Sequence, residues 1–306
     1  MSVVTILGIE MRSGTNYLHD LIVKHPQCSG ARGIWEDFVL ADLQYVSKYF
    51  SVLETFWQKF PFDRKNIDKS KEAFGGVLID LLKCQSTEKQ EFSYLVTKTP
   101  SFVGIEKAPE FFPNSKFLLL IRDGRSVAYS LEKSFNVNYF DALERWRESA
   151  RKLIEFMESH EAFFRQQCFL VKYEDIFLDS QAQLSDIFRF LCLDPDECNF
   201  SEIEALEVRG SSDLRAANQQ IDWKKVKRTQ DFNPIGRFKA WPKWKQAYAD
   251  FYCRDELKQF GYPLEAEIGG WLPTPLVSGL HVIERLNPKK LQVRMKKWLK
   301  AQLIDR

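Results

Sequence analysis

This sequence holds few cysteines, few histidines, almost no surplus of charge and no long apolar run, and each shortage closes off a class of function. The six cysteines, at 28, 84, 168, 192, 198 and 253, include no C-x-x-C pair and no adjacent histidine. That spacing builds neither a zinc site nor a disulfide framework. Cys168 and Cys192 fall inside apolar runs, so buried, reduced thiols are expected, and no metal. Charges of the two signs nearly cancel, 44 basic against 42 acidic, leaving a formal net charge of +2. A nucleic-acid partner is therefore not expected, and any anion site must be local. The first apolar run, Val3–Leu7, is too short for a signal peptide or a membrane anchor. The expectation is a cytoplasmic protein. Internal repeats and low-complexity linkers are also missing.

What remains is an ordinary globular makeup, 44% hydrophobic and 28% charged, in a chain of 306 residues. That length suits one large α/β domain or two small ones. Four near-continuous apolar runs, at 3–9, 93–98, 116–122 and 168–173, alternate with helix-like stretches. Such alternation predicts a parallel sheet covered on both faces. The helical period is clear at Leu143, Trp146, Ala150, Leu153 and Met157, and again at Leu184, Ile187, Phe188 and Leu191. Asp179 or Ser180 is the expected cap of the second of these helices. Each predicted strand ends in polar residues: Arg12 after the first, Lys98 at the second, Arg122 at the third, Glu174-Asp175 after the fourth. Ligands of open α/β sheets bind outside those carboxyl ends. The stretch 209–240 is polar, basic and irregular, and is expected to be a long loop able to order over a ligand.

The segment Gly8-Ile9-Glu10-Met11-Arg12-Ser13-Gly14-Thr15-Asn16-Tyr17-Leu18 joins the first strand to a helix. Uncapped N–H groups and the dipole at a helix start favour an anion, and the fork of Arg12 suits phosphate or sulfate oxygens. The triphosphate motif G-x-x-x-x-G-K-[ST] is not met, because Thr15 follows Gly14 with no Lys between. Further on come Ile121-Arg122-Asp123-Gly124-Arg125-Ser126-Val127-Ala128-Tyr129-Ser130, then Thr97-Lys98-Thr99-Pro100, Val171-Lys172-Tyr173-Glu174-Asp175 and Ile235-Gly236-Arg237-Phe238-Lys239-Ala240-Trp241. Together these resemble the motifs of sulfotransferases that use 3′-phosphoadenosine 5′-phosphosulfate (PAPS). The set is closer to the protein-tyrosine, carbohydrate and bacterial types than to the cytosolic phenol and steroid types. The resemblance spans about residues 3 to 262. It implies a three-layer P-loop-like α/β fold, with a central parallel sheet flanked by helices, and an enzyme that moves a sulfuryl group from PAPS to a hydroxyl, leaving the product nucleotide PAP without any metal.

By the same resemblance, Ser13, Gly14, Thr15 and Asn16 hold the 5′-phosphate, Arg12 and Tyr17 bind the cofactor from the same loop, and Arg122 with Ser130 hold the 3′-phosphate. Tyr173 lies near the adenine, while Gly236, Arg237 and Lys239 close over the 3′-phosphate. Arg12 and Lys98 are candidates for stabilising the departing oxygen. Cytosolic phenol enzymes use a His two residues beyond the strand-end Lys, but Pro100 stands there. Glu36, in Gly33-Ile34-Trp35-Glu36-Asp37-Phe38 and downstream of His25-Pro26, is the candidate base, with Trp35 and Phe38 expected to desolvate it. Asp37 is the fallback. Plainer roles stand beside these: Glu36 as a cap for a helix starting near Asp37, Arg122 in an ion pair with Asp123, Ser130 facing solvent.

The acceptor is expected to be a hydroxyl on a carbohydrate, a peptide or a small molecule, with sugar or peptidyl tyrosine favoured. Trp35, Phe38, Trp57 and Phe60 are expected to wall its cleft. A P-loop kinase or nucleotide hydrolase, and a non-catalytic nucleotide-binding protein, are the rival readings. The composition changes near residue 265, dividing a catalytic domain, 1–265, from an extension, 266–306. In that extension Leu291, Met295, Trp298, Leu299 and Leu303 fall on one face of a basic helix. Such a helix can make peripheral contact with an anionic membrane or pack on the domain.

Overall fold

A computed structural model describes residues 2–31, 34–60, 63–84, 92–204, 206, 208–209, 225–226 and 232–265. Five strands form the sheet: β1 (Ser2–Gly8), β2 (Cys28–Gly30), β3 (Tyr94–Thr99), β4 (Lys116–Ile121) and β5 (Cys168–Lys172). Their order is β2-β3-β1-β4-β5, and every neighbouring pair is parallel. β1 is central, with Ile6 opposite Lys98 on one side and Leu118 on the other. The four strands read from the sequence are all present, shifted by a residue at their ends. β2 is an addition: three residues, with no apolar run to announce it. Tyr173, expected as the last residue of its strand, instead begins a helix.

The helices are α1 (Thr15–Ile22), α2 (Leu43–Trp57), α3 (Arg64–Cys84), α4 (Ala108–Phe111), α5 (Gly124–Phe135), α6 (Tyr139–Ser159), α7 (Glu161–Gln167), α8 (Tyr173–Leu178), α9 (Ser180–Phe190), α10 (Phe200–Glu204), α11 (Lys243–Tyr252) and α12 (Arg254–Gln259). Successive strand residues point to opposite faces, so both must be covered. Val4 and Ile6 pack in one cluster with Leu21 of α1, Ile176 of α8 and Ile187 and Phe188 of α9. Val3 and Leu95 pack on the other side with Leu82 and Ile79 of α3. This is the expected three-layer arrangement.

Local signals place the helix starts. Asp179, rather than Ser180, caps α9 by accepting from the Ala182 N–H at 3.0 Å. The Asp123 carboxylate caps α5 and Asn138 caps α6. One expected start is corrected. No helix begins near Asp37; α2 begins at Leu43, because Phe38 takes a left-handed φ of 47° and Asp37 is engaged by Thr99 and by the Val39 N–H.

The chain divides into two compact units, Met1–Phe238 and Lys239–Arg306. In the second, α11 and α12 follow a turn in which the Gln246 amide donates to the Lys239 and Trp241 carbonyls. The expected extension, 266–306, and most of the expected loop, 209–240, lie outside the described residues. Among the described residues no helix is long and apolar enough to cross a membrane.

Candidate active site at the carboxyl edge of the sheet

Because all five strands run in parallel, the polar residues after β1, β3, β4 and β5 reach the same edge. After β1 the chain turns tightly, with the Ser13 N–H donating to the Glu10 carbonyl at 3.2 Å. Arg12 adopts φ 74° and Gly14 φ 104°. A side chain at Gly14 is excluded twice over: the backbone is left-handed, and a Cβ would lie 2.4 Å from the Tyr173 ring. Gly14 precedes α1 without a capping side chain, so the first N–H groups of that helix need another acceptor. Gly14, Thr15, Asn16 and Tyr17 line a cleft of about 430 Å3 in which Arg12 also stands. Ser13 is fully buried behind them, its hydroxyl without a partner.

The second grip comes from β4 and α5. Arg122 is 5% exposed; its Nη1 donates to the Arg12 carbonyl at 2.8 Å and its Nη2 to the Pro234 carbonyl at 2.7 Å. Its guanidinium lies 4.2 Å from the Tyr173 ring centre, and its Nε, also buried, has no partner. An ion pair with Asp123 is not formed, since that carboxylate is held by Arg125 through Nε at 3.0 Å and Nη2 at 2.7 Å. Ser130 does not face solvent. It is 1% exposed, and its Oγ accepts from Arg12 Nε at 3.0 Å. The residues expected at opposite ends of the nucleotide, Arg12 and Ser130, thus meet directly in one cleft.

Tyr173 lines the cleft, and Glu174 follows it outside the lining. Burial pushes the Tyr173 phenol up, against the pull of Arg122. Burial likewise raises the Glu174 carboxyl, opposed by Arg122 and by the Asp123 N–H that donates to its Oε1 at 3.1 Å. Arg237 lines the cleft from the late segment, with Phe232 and Pro234. Gly236 turns with φ 67° but is not among the lining residues. Lys239 belongs to the second unit, where its Nζ meets Glu265 Oε1 at 2.9 Å.

The third contribution comes from the segment before α2, stitched to the end of β3. The Asp37 N–H donates to the Lys98 carbonyl at 3.1 Å, the Phe38 N–H to Thr99 Oγ1 at 3.0 Å, and Thr99 Oγ1 to Asp37 Oδ1 at 2.7 Å. Lys98 Nζ donates to the Trp35 carbonyl and sits 4.8 Å from the centre of that ring. Glu36, held between these ties, lines the cleft; Lys98 is buried just behind it and does not. Asp37 uses Oδ1 to fix the segment, and among the described residues that line the cleft Glu36 is the carboxylate. The expected apolar cover is only partial. Trp35 lines the cleft and Phe38 does not, while Trp57 and Phe60 are exposed and stand away from it.

The sequence reading missed Met11, Phe135 and the Pro234 carbonyl. The carbonyl of Pro234 is 112 residues from Arg122 and carries no side-chain signal.

A model of the sulfotransferase family matches residues 4–197. Protein-tyrosine sulfotransferase 2 of Gallus gallus is 29% identical over 238 residues, covering 72% of this chain and 59% of that protein. Protein-tyrosine sulfotransferase A of Caenorhabditis elegans is 32% identical over 95 residues, 29% of this chain and 24% of that protein. The match thus spans less than two thirds of the length of these relatives. Among solved structures, the sulfotransferase domain from the Synechococcus PCC 7002 olefin synthase is similar in fold. Its TM-score is 0.50 at 18% identity, over 86% of this chain and 96% of that one.

Proposed function

Since the chain belongs to the sulfotransferase family, with 4–197 matched, we propose that it transfers a sulfuryl group from PAPS to a hydroxyl acceptor. One observation carries the reading: two anion grips from separate strand–turn–helix units, Arg12–Tyr17 and Arg122–Ser130, face one cleft and touch through Arg12 and Ser130. The residues fit a nucleotide with phosphates at both ends. Ser13 Oγ and Arg122 Nε are buried donors without partners, and the start of α1 has no cap. Leaving such donors unmatched costs about 1–3 kcal/mol each.

PAPS supplies the sulfuryl group as co-substrate. The chain's part is to hold both ends of the nucleotide and to prepare the attacking oxygen. Glu36 takes the proton from the acceptor hydroxyl as the new S–O bond forms. The bond from sulfur to the 5′-phosphate oxygen breaks, and Arg12 meets the charge left on that oxygen; Lys98 joins it only by turning its ammonium from the Trp35 carbonyl into the cleft. Arg122 and Ser130 hold the 3′-phosphate, with Arg237 above them. The names of the curated relatives favour peptidyl tyrosine as the acceptor, with a sugar hydroxyl second. A cytoplasmic location and a catalytic domain of 1–265 belong to the same proposal, to be checked by cell fractionation and limited proteolysis.

Thermal melting with PAP, ATP and ADP, each with and without magnesium, tests the reading. PAP alone, at a hundredfold excess over its Kd, should add about 2.7 kcal/mol of stability. Stabilisation by ATP with magnesium but not by PAP overturns it in favour of a kinase or hydrolase.

A further inference from the structure

Arg145 and Trp146 are consecutive residues of α6, and neither lies in any of the motifs described above. Arg145 grips Glu10 with both arms, Nη2 to Oε1 at 2.6 Å and Nε to Oε2 at 3.2 Å. Glu10 stands inside the first anion loop, is 9% exposed, and also accepts from the Met11 N–H at 2.9 Å. A carboxylate in a loop that receives a phosphate repels it unless a cation neutralises that carboxylate. Arg145 supplies the cation from another element.

Trp146 serves the second grip. It is fully buried, and its Nε1 donates to the Arg122 carbonyl at 3.0 Å. Its ring lies so close to Gly124 that a Cβ there would fall 2.3 Å from Cδ2, which fixes the start of α5 against α6. The rest of α6 is rooted in the core by Leu143, Ala150 and Leu153. Both side chains therefore project from a rigid element, the placement that holds a site to sub-ångström tolerance.

We propose that Arg145 and Trp146 form a brace that sets the two anion grips against each other. Arg145 acts through Glu10 on the loop for the 5′-phosphate, and Trp146 acts through Arg122 on the grip for the 3′-phosphate. Both are positioning residues, and the inference rests on the PAPS reading above. The grips then complete the frame themselves, through Arg12 Nε to Ser130 and Arg122 Nη1 to the Arg12 carbonyl.

Calorimetry with PAP and with AMP, which lacks the 3′-phosphate, separates the two arms. Arg145→Gln should weaken PAP and AMP alike by about tenfold. Adding Glu10→Gln to Arg145→Gln should restore most of that loss, because the unpaired carboxylate is then gone. Trp146→Phe keeps a ring but loses the N–H, and should weaken PAP by about tenfold while changing AMP less than about twofold. A purely structural role would lower melting temperature without this split. Arg145→Gln binding PAP like wild type, a double variant no better than the single one, or Trp146→Phe weakening both nucleotides equally each overturns the brace. Should Trp146→Phe fail to fold, the two Arg145 variants decide alone. A wild-type chain that binds no PAP overturns the donor reading and the brace together, whereas wild-type binding with unchanged variants overturns the brace only.

Discussion

At the end of the cleft proposed for the donor, Arg122, Ser130 and Tyr173 are 5%, 1% and 6% exposed; at the end proposed for the acceptor, Trp35 and its neighbour Phe38, which lies outside the lining, are 48% and 46% exposed. The donor side chains are held by carbonyls, by one another and by an aromatic floor, so their geometry is paid for on folding. The other end is fixed by the ties from Asp37 and Phe38 to the end of β3 and by Lys98 beneath Trp35, while the outer faces of its rings stay exposed. One end is thus prepared for a single ligand chemistry, while the other can be retuned by changing exposed rings without disturbing the sheet.

The sharpest way to break this contrast is Arg122→Ala. Losing two charge-assisted contacts of about 1.5–3 kcal/mol each should weaken PAP by about a thousandfold, and AMP far less. Equal weakening of the two by calorimetry would mean that Arg122 only ties Arg12 and Pro234 in place. Glu36→Gln comes next. Turnover should fall by about a hundredfold while PAP affinity stays within about twofold, the size expected for loss of a general base. Near wild-type turnover removes Glu36 from the mechanism.

The smallest effect is expected on the outer face of α2, where Tyr45, Tyr49, Val52 and Phe56 are 53%, 62%, 47% and 58% exposed. They follow one another at spacings of four, three and four residues, one side of a helix. Tyr49→Ser and Phe56→Ser should each shift stability by less than about 0.5 kcal/mol, the range of ordinary surface changes, and leave PAP binding untouched. A denaturation loss above about 2 kcal/mol would show that these rings are covered in solution and that the contrast is overdrawn.

Legibility in the sequence follows the same divide. β1, β3, β4 and β5 were readable because strands buried on both faces leave unbroken apolar runs, and the two loops because Gly, Arg and Ser stand at fixed offsets from them. β2 escaped because three residues carry no period. Glu36 was readable only by resemblance; its placement depends on Thr99, Lys98 and a left-handed Phe38, none of which marks the local sequence. The pairing of Arg145 with Glu10 spans 135 residues, so no window along the chain could have joined them. Arg122 and Ser130 were singled out and lie in one cleft, and the plainer roles offered for them fell only when Arg125 was seen to hold Asp123 and Ser130 to be buried.

The adjacency of Arg145 and Trp146 has a consequence for how this chain can change. Neighbouring positions on a helix point about 100° apart, so one rotation of α6 about its axis would misaim both at once. Deleting or inserting a single residue in its first two turns, between Tyr139 and Arg145, turns the helix by that angle. A one-residue length change there would release Glu10 and the Arg122 carbonyl together, two contacts at separate strand ends lost in a single step.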